Sequence, residues 1–355
     1  MESIRKVKIY GAGSIGNHLA NAARRLGCDV VVCDVSASAL ERMRTQIYPQ
    51  RYGSWDNAIQ LTLNNNAPRG AFDLIIIGTP PEHHLPLALD ALAEKPKALL
   101  IEKPICPPDL NKADAFKKLV KKGKTRVFVG YDHVVGKAMR EVESIVASGV
   151  IGDPITLDVE FREHWEGIFK AHSWLKGPED SYLGYWKKGG GASSEHSHAL
   201  NLWQHLAHVL GKGNVAEVSA SINYKKQGKA HYDDMFLLNL KTKKGFSGRV
   251  VQDVVTRPSR KWARIQGTDG AVDWVANYNA DGDAVMVSKG NAAPEVTMFP
   301  KKRPDDFIEE LQHIDTCVST GKKSPLGWER GLDTMAVVAA AHKSEAKGGK
   351  MGVRL

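Results

Sequence analysis

Gly11-Ala12-Gly13-Ser14-Ile15-Gly16 lies between an apolar run, Val7-Lys8-Ile9-Tyr10, and a segment in which Ile15, Leu19, Ala22 and Leu26 recur at helical spacing. The run reads as a strand and the spacing as one face of a helix. A G-x-G-x-x-G in the turn between them has a mechanical meaning. The first glycine permits the tight turn, the second lets the backbone approach a pyrophosphate, and the third lets the helix pack against the strand. The pyrophosphate would sit on N–H groups at the helix N-terminus, where the dipole favours negative charge. Gly11, Gly13, Ser14, Ile15 and Gly16 are therefore the expected phosphate cradle. Alone, such a hexapeptide is weak evidence, because glycine-rich turns are commoner than cofactor sites.

Its surroundings add weight. A second apolar strand, Asp29 to Cys33, is closed by Asp34, near the distance of about 20 residues expected for an acid that binds the adenosine ribose. A carboxylate there repels a 2′-phosphate, and neither Val35 nor Ser36 brings a guanidinium. NAD is expected over NADP, with Ser36 leaving dual use open. The competing role for Asp34, capping the next helix, carries less weight beside the complete fingerprint.

The rhythm continues outward. Leu74 to Ile77, Ala98 to Ile101 and Arg126 to Gly130 read as further strands, separated by a helix around Leu85, Leu89 and Leu92 and a lysine-rich helix from Pro108 to Lys122. Apolar strands alternating with helices imply a parallel sheet covered on both faces, a doubly wound α/β domain over residues 1–131. After that the pattern changes. Ile155 to Phe161, Val215 to Tyr224, Met235 to Leu240, Phe246 to Val255, Trp262 to Gly267 and Ala271 to Val275 follow as strands in series, with a hairpin turn at Gly267-Thr268-Asp269-Gly270. Helices are expected at Met139 to Val146, after Gly189-Gly190-Gly191, at Phe307 to Ser319 and at Trp328 to Lys347. Residues 132–355 thus read as an α+β domain with a mostly antiparallel sheet.

At 355 residues the chain has room for two such cores. With 42% hydrophobic and 25% charged residues it has the composition of an ordinary globular protein. The formal charge of +9 would suit nucleic acid if it were clustered, but the basic pairs are scattered among acids without a recognition motif. Neither nucleic acid nor membrane is expected as a partner, since no apolar run nears the ~20 residues that a bilayer demands. Cys28, Cys33, Cys106 and Cys317 lack metal or disulfide-framework spacing, which points to the cytoplasm and reduced thiols. No metal is expected.

Three further stretches carry chemistry. Thr79-Pro80, with His84 shortly after, stands at the carboxyl end of a buried strand, where ligands bind in open α/β sheets. Glu102-Lys103-Pro104 ends the next strand, and a lysine there can polarise a substrate oxygen and stabilise alkoxide charge. In the second half, Glu195, His198 and Asn201, or Ser194, His198 and Asn201, share one face of a helix. His198 can take a hydroxyl proton, with Glu195 or Asn201 orienting the ring. His205 and His208 carry little weight. The aromatic stretch around Trp165 and Trp174 reads equally as a sugar-stacking surface or as core.

The fingerprint, Thr79-Pro80 with His84, Glu102-Lys103-Pro104 and Gly130-Tyr131 together resemble the ordered signature of the glucose-fructose oxidoreductase/inositol dehydrogenase/rhizopine-catabolism (Gfo/Idh/MocA) family. The stretch from Gly189 to His198 resembles that family's entry to its active-site helix, although many members carry an Asp with a His four residues on. Gln252-Asp253, Arg257-Pro258-Ser259-Arg260 and Gly267 through Gly270 to Trp274 are similar to a branch associated with amino-sugar or nonulosonic-acid metabolism. The resemblance implies a sugar-like substrate and a homodimer or homotetramer. It also implies cofactor contacts at Thr79, Pro80, His84, Glu102, Lys103 and Asp132, although the Arg usual two places after that Asp is Val134 here.

The resulting expectation is hydride transfer between nicotinamide and a hydroxyl-bearing carbon of a sugar, with Lys103, His198 and Glu195 catalytic and Lys103, Trp165, Trp174, His198 and Asn201 contacting substrate. Lys103 and His198 can exchange roles. Two alternatives stay open: an eliminase or glycosidase that retains and recycles NAD, and a nonenzymatic NAD-binding regulator.

Overall fold

The computed structural model describes residues 3–170, 172 and 174–354, and the chain divides into two compact units. The first comprises the chain up to Cys106 together with Asn111–Asp132 and Arg303–Trp328. Its sheet has six strands: β1 (Lys6–Tyr10), β2 (Asp29–Asp34), β3 (Ile59–Leu63), β4 (Leu74–Ile77), β5 (Ala98–Ile101) and β6 (Arg126–Val129). They run in the order β3-β2-β1-β4-β5-β6, with every pairing parallel. β4 and β5 are buried along their whole length, which is why they read as continuous apolar runs. The order reverses between β1 and β4, and the carboxyl ends of these two strands mark the crevice where such sheets bind dinucleotides.

Lys8 breaks the apolar reading of β1. Its side chain is fully buried, and Nζ lies 2.6 Å from a Glu94 carboxylate oxygen and 3.0 Å from the Pro68 carbonyl. The rings of Tyr10 and Phe72 flank it. The lysine-rich helix expected from Pro108 starts at Ala113 instead, because Leu110 and Lys112 hold left-handed backbone, φ 56° and 64°, that a helix cannot include. The late segment Arg303–Trp328 supplies the helix Asp305–Thr320, whose Phe307 stacks on His18 of the helix Ser14–Arg25 at 5.2 Å. Beyond it, the Leu326 carbonyl accepts a 2.7 Å hydrogen bond from Val129 N–H beside β6.

The second unit holds residues 107–110, 133–302 and 329–354. Its nine strands are β7 (Pro154–His164), β8 (Val215–Gln227), β9 (Ala230–Thr242), β10 (Ser247–Asp253), β11 (Val255–Gly267), β12 (Gly270–Asn279), β13 (Gly282–Lys289), β14 (Glu295–Pro300) and β15 (Met351–Gly352). They order as β14-β13-β12-β11-β7-β10-β9-β8-β15, antiparallel except for β7 against β10. The expected hairpin at residues 267–270 joins β11 to β12. Along β7, Leu157, Val159 and Phe161 point into the core, and the helix Ser197–Val209 packs over them, Trp203 Nε1 donating to the Leu157 carbonyl at 2.8 Å. The alternate residues carry charge, Asp158 pairing with Arg249 at 3.3 Å and Glu160 with Arg260 at 3.6 Å. Among the described residues no helix is long and apolar enough to cross a membrane. All four cysteines are unbridged and buried.

Candidate active site

The glycine turn is built by close backbone contacts. Gly11 has φ +107°, and a Cβ there would lie 2.4 Å from the Gly78 carbonyl oxygen; one on Gly16 would lie 2.0 Å from the Gly11 carbonyl oxygen. A Cβ on Gly13 would meet nothing within 4 Å, so the space above the turn is open. Gly13 begins the helix Ser14–Arg25, and no side chain caps that N-terminus. Open space above uncapped N–H groups fits a pyrophosphate.

Asp34 closes the turn from β2. One carboxylate oxygen accepts from Ala12 N–H at 2.8 Å and the other from Ser36 N–H at 2.9 Å. The side chain thus fixes the turn and places a negative charge beside it. A charged hydrogen bond contributes about 1.5–3 kcal/mol. Asp34→Ala should accordingly weaken NAD about tenfold or more, and NADP less, since the 2′-phosphate loses a repelling neighbour. Paired fluorescence titrations with the two reduced cofactors check this, and an unchanged preference would contradict it.

At the end of β4, Thr79 is half-buried, Pro80 is exposed and His84 is fully buried. The His84 ring nitrogens face two carbonyl oxygens, Pro104 at 2.8 Å and Thr79 at 2.6 Å. Two acceptors favour a second proton on the ring, but burial is the larger effect and pushes the imidazole down to about 4. His84 therefore braces the loops after β4 and β5 against each other.

Glu102 and Lys103 follow β5 directly. Glu102 is buried, and its carboxylate fills the space that a side chain at Gly130 would take, with Oε1 only 2.7 Å from the Cβ position. Burial pushes Glu102 up to about 8, the Lys103 charge opposing and Asp132 reinforcing the rise. Lys103 is half-buried. Asp132, after β6, is buried. The sequence reading missed Glu310, which is fully buried on the helix Asp305–Thr320. It stands in an otherwise apolar stripe of Phe307, Leu311 and Ile314, the one signal in the sequence that could have revealed it.

In the second unit the expected single helix after the glycine triplet is two, Gly191–Glu195 and Ser197–Val209, with His196 non-helical between them. Glu195 and His198 therefore do not sit on one continuous helical face. Gly191 has φ +73°, and a Cβ there would lie 2.1 Å from Oδ1 of Asp233. That carboxylate accepts from Ser193 N–H at 2.6 Å and Ser193 Oγ at 3.1 Å. Gln252 Nε2 donates to the Ala192 and Ser193 carbonyls at 2.9 and 3.0 Å. Asp233 and Gln252 thus clamp the short helix that leads to His198.

Burial pushes Asp233 up to about 7. An unfolded aspartate ionises near ~4, so across that interval the folded chain holds the extra proton and stability falls as pH rises. Asp233→Asn should remove up to ~4 kcal/mol of this slope. Thermal melts from pH 4 to 7 should show the variant gaining on the parent, and parallel curves would refute it.

His198 is half-buried in a cluster of rings. His133 meets it edge-on at 4.9 Å and Phe161 stacks at 6.2 Å, while Trp274 stacks on Phe161 at 6.0 Å. His133 was not foreseen. Asn201 is buried and donates to Thr334 Oγ1 at 3.1 Å, as a tie between helices. Trp165 is buried edge-on against Tyr232 at 5.5 Å, and Trp174 meets His172 at 5.2 Å. His205 pairs with Glu143 at 2.7 Å, and His208 meets Arg330. In the first unit Glu102, Asp132 and Glu310 are all buried, and in the second His198, His133 and Phe161 share one cluster of rings.

Comparison with known proteins gives a consistent answer. An oxidoreductase-family NAD-binding Rossmann fold matches residues 5–131, and the same family's C-terminal alpha/beta domain matches residues 143–353. No curated protein matches the sequence. Among solved structures, an oxidoreductase from Agrobacterium radiobacter in complex with NAD+, L-tartaric acid and magnesium is 20% identical with a TM-score of 0.76, over 99% of this chain and 98% of that one. The WlbA dehydrogenase from Bordetella pertussis, in complex with NADH and UDP-GlcNAcA, is 18% identical with a TM-score of 0.71, over 99% of both chains. A levoglucosan dehydrogenase in complex with NADH is 15% identical with a TM-score of 0.78, over 99% of both. At these identities the structures establish the shared fold, and the two family matches establish more: the chain belongs to the Gfo/Idh/MocA family of NAD-binding oxidoreductases.

Proposed function

We propose that the protein oxidises or reduces a hydroxyl-bearing carbon of a sugar or sugar derivative with NAD as the redox partner. The observation that carries this reading is Lys103, a half-buried cation at the end of β5, in the half of the sheet opposite the adenosine-binding strands. Gly11, Gly13, Ser14, Ile15 and Gly16 are assigned to the pyrophosphate and Asp34 to the adenosine ribose. Thr79, Pro80, Glu102 and Asp132 are assigned to the nicotinamide half. When bound, NAD supplies the hydride acceptor that no side chain can provide.

Lys103 donates to the substrate oxygen and offsets negative charge as it develops there. His198 carries the hydroxyl proton, its ring held by His133 and Phe161. The position of this helix depends on the Asp233 and Gln252 clamp. That the WlbA dehydrogenase and the levoglucosan dehydrogenase are described with UDP-GlcNAcA and as acting on levoglucosan supports a carbohydrate substrate.

The test is a screen of free and nucleotide-linked sugars for NADH formation, beginning with amino sugars. Turnover is expected with at least one sugar-type compound. Activity confined to non-carbohydrate alcohols would overturn the substrate class.

A further inference from the structure

Between β2 and β3 the chain forms a short helix, Tyr48–Tyr52. Three contacts tie it to the helix that follows the glycine turn. Tyr48 Oη accepts from Asn21 Nδ2 at 2.9 Å, and Tyr52 Oη meets His18 Nδ1. The Arg51 guanidinium donates twice to Ser14, to its carbonyl oxygen and to Oγ, at 2.8 Å each. Ser14, His18 and Asn21 are spaced by four and three, so they form one stripe along the helix Ser14–Arg25. Arg51 is the contact at the N-terminal end of that stripe, on the first residue of the helix.

That end carries the uncapped N–H groups and the open space above Gly13. Arginine can only donate, so Ser14 Oγ accepts from it and keeps its own proton for another acceptor. The turn itself brings no cation: none of the residues from Gly11 to Gly16 is basic, and Asp34 adds a negative charge at Ala12. Tyr48 and Tyr52 already anchor the short helix, so anchoring alone does not call for a charge at position 51. Burial and the charge of Arg303 both disfavour the Arg51 cation, whereas an anion held at the turn favours it.

We propose that Arg51 positions the cofactor's diphosphate: its hydrogen bonds set the Ser14 hydroxyl as a donor to a phosphate oxygen, and its charge offsets the negative charge held there. The inference rests on the assignment of the glycine turn to the pyrophosphate. Arg51 stands 37 positions from Ser14, where no motif spacing points to it.

The experiment is fluorescence titration of the full chain with NADH, at low and at high salt. Arg51→Met should weaken NADH about tenfold or more, the scale of a lost charge-assisted hydrogen bond, and should flatten the dependence on salt. Ser14→Ala should weaken it less, and the double variant should lose less than the product of the two single losses, because the two side chains act as one unit. Arg51→Lys keeps the charge and should recover part of the affinity. Tyr52→Phe removes the neighbouring tie of the same short helix and should bind NADH as the parent does. Should Arg51→Met fail to fold in thermal melts, Arg51→Gln, which keeps a donor and loses the charge, gives the same reading. Unchanged NADH affinity on loss of the charge would overturn the proposal. So would independent losses in the double variant, or a loss in Tyr52→Phe as large as in Arg51→Met, which would make Arg51 an anchor only. Loss of NADH binding in Gly16→Ala with none in Arg51→Met would overturn the proposal and leave the assignment of the turn standing, whereas no loss in either would contradict that assignment as well.

Discussion

Replacing Lys103 by Met lowers turnover about 10³-fold, the middle of the range for loss of a positioned proton donor, while NADH binding changes little. The argument is electrostatic. Oxidation of a secondary alcohol builds alkoxide charge on oxygen, and a cation at the end of β5 offsets it; Met keeps the length of the side chain and removes the charge. Lys103 also favours ionisation of its neighbour Glu102, opposing the rise that burial causes. The variant should therefore hold Glu102 protonated to still higher pH, which shifts any dependence of the remaining activity on that carboxyl to higher pH. The split between a lost kcat and a retained cofactor affinity is the informative part. Normal turnover would remove Lys103 from the mechanism. Equal loss of NADH binding would reduce it to a cofactor contact.

Gly16→Ala should weaken NAD binding by up to ~10²-fold. The added Cβ would lie 2.0 Å from the Gly11 carbonyl oxygen, a backbone atom that cannot turn aside. The helix Ser14–Arg25 would have to move away from β1, and Gly11, at φ +107° and itself pressed against Gly78, has little room to follow. Overpacking of this kind costs about 1–3 kcal/mol, or up to ~10²-fold in affinity if all of it falls on the bound form. Fluorescence titration with NADH reads the loss, and circular dichroism shows whether the sheet survives. Gly13→Ala is the control, since its Cβ would point into open space; it should fold normally and lose affinity only by crowding the cofactor. Unchanged NADH affinity in Gly16→Ala would mean that the turn does not hold the pyrophosphate.

The first sheet was legible because its strands are buried on both faces. Leu74 to Ile77 and Ala98 to Ile101 coincide with β4 and β5, since nothing but apolar residues can fill a position covered above and below. The edge strand β3 was invisible for the converse reason: Gln60 and Leu63 are exposed, and the run is short and mixed in polarity. β14 escaped likewise, lying at the far edge of the second sheet with most of its residues in solvent. The helix Asp305–Thr320 was legible as a helix, but no local pattern tells that a late segment returns to the first unit.

The site divides in the same way. Gly11, Gly16 and Asp34 could be read as parts of one turn because the close contacts that shape it lie within one βαβ unit. Asp233 could not, because its tie to Ser193 spans 40 positions and only the sheet brings them together. Asn201 shares a helical register with His198, and its Nδ2 also donates to Thr334 Oγ1, a tie across 133 positions that no local pattern shows. Trp165 was an even choice between sugar platform and core, and its edge-on contact with Tyr232, 67 positions away, is of a kind that no local pattern carries.

The measurement that bears most directly on the account is the stoichiometry of external NAD with a sugar-type substrate found in the screen. Product and NADH should appear one for one, with NAD consumed from solution and turnover lost in Lys103→Met. Product formed with no net NADH would contradict the dehydrogenase reading and favour an enzyme that retains and recycles its cofactor.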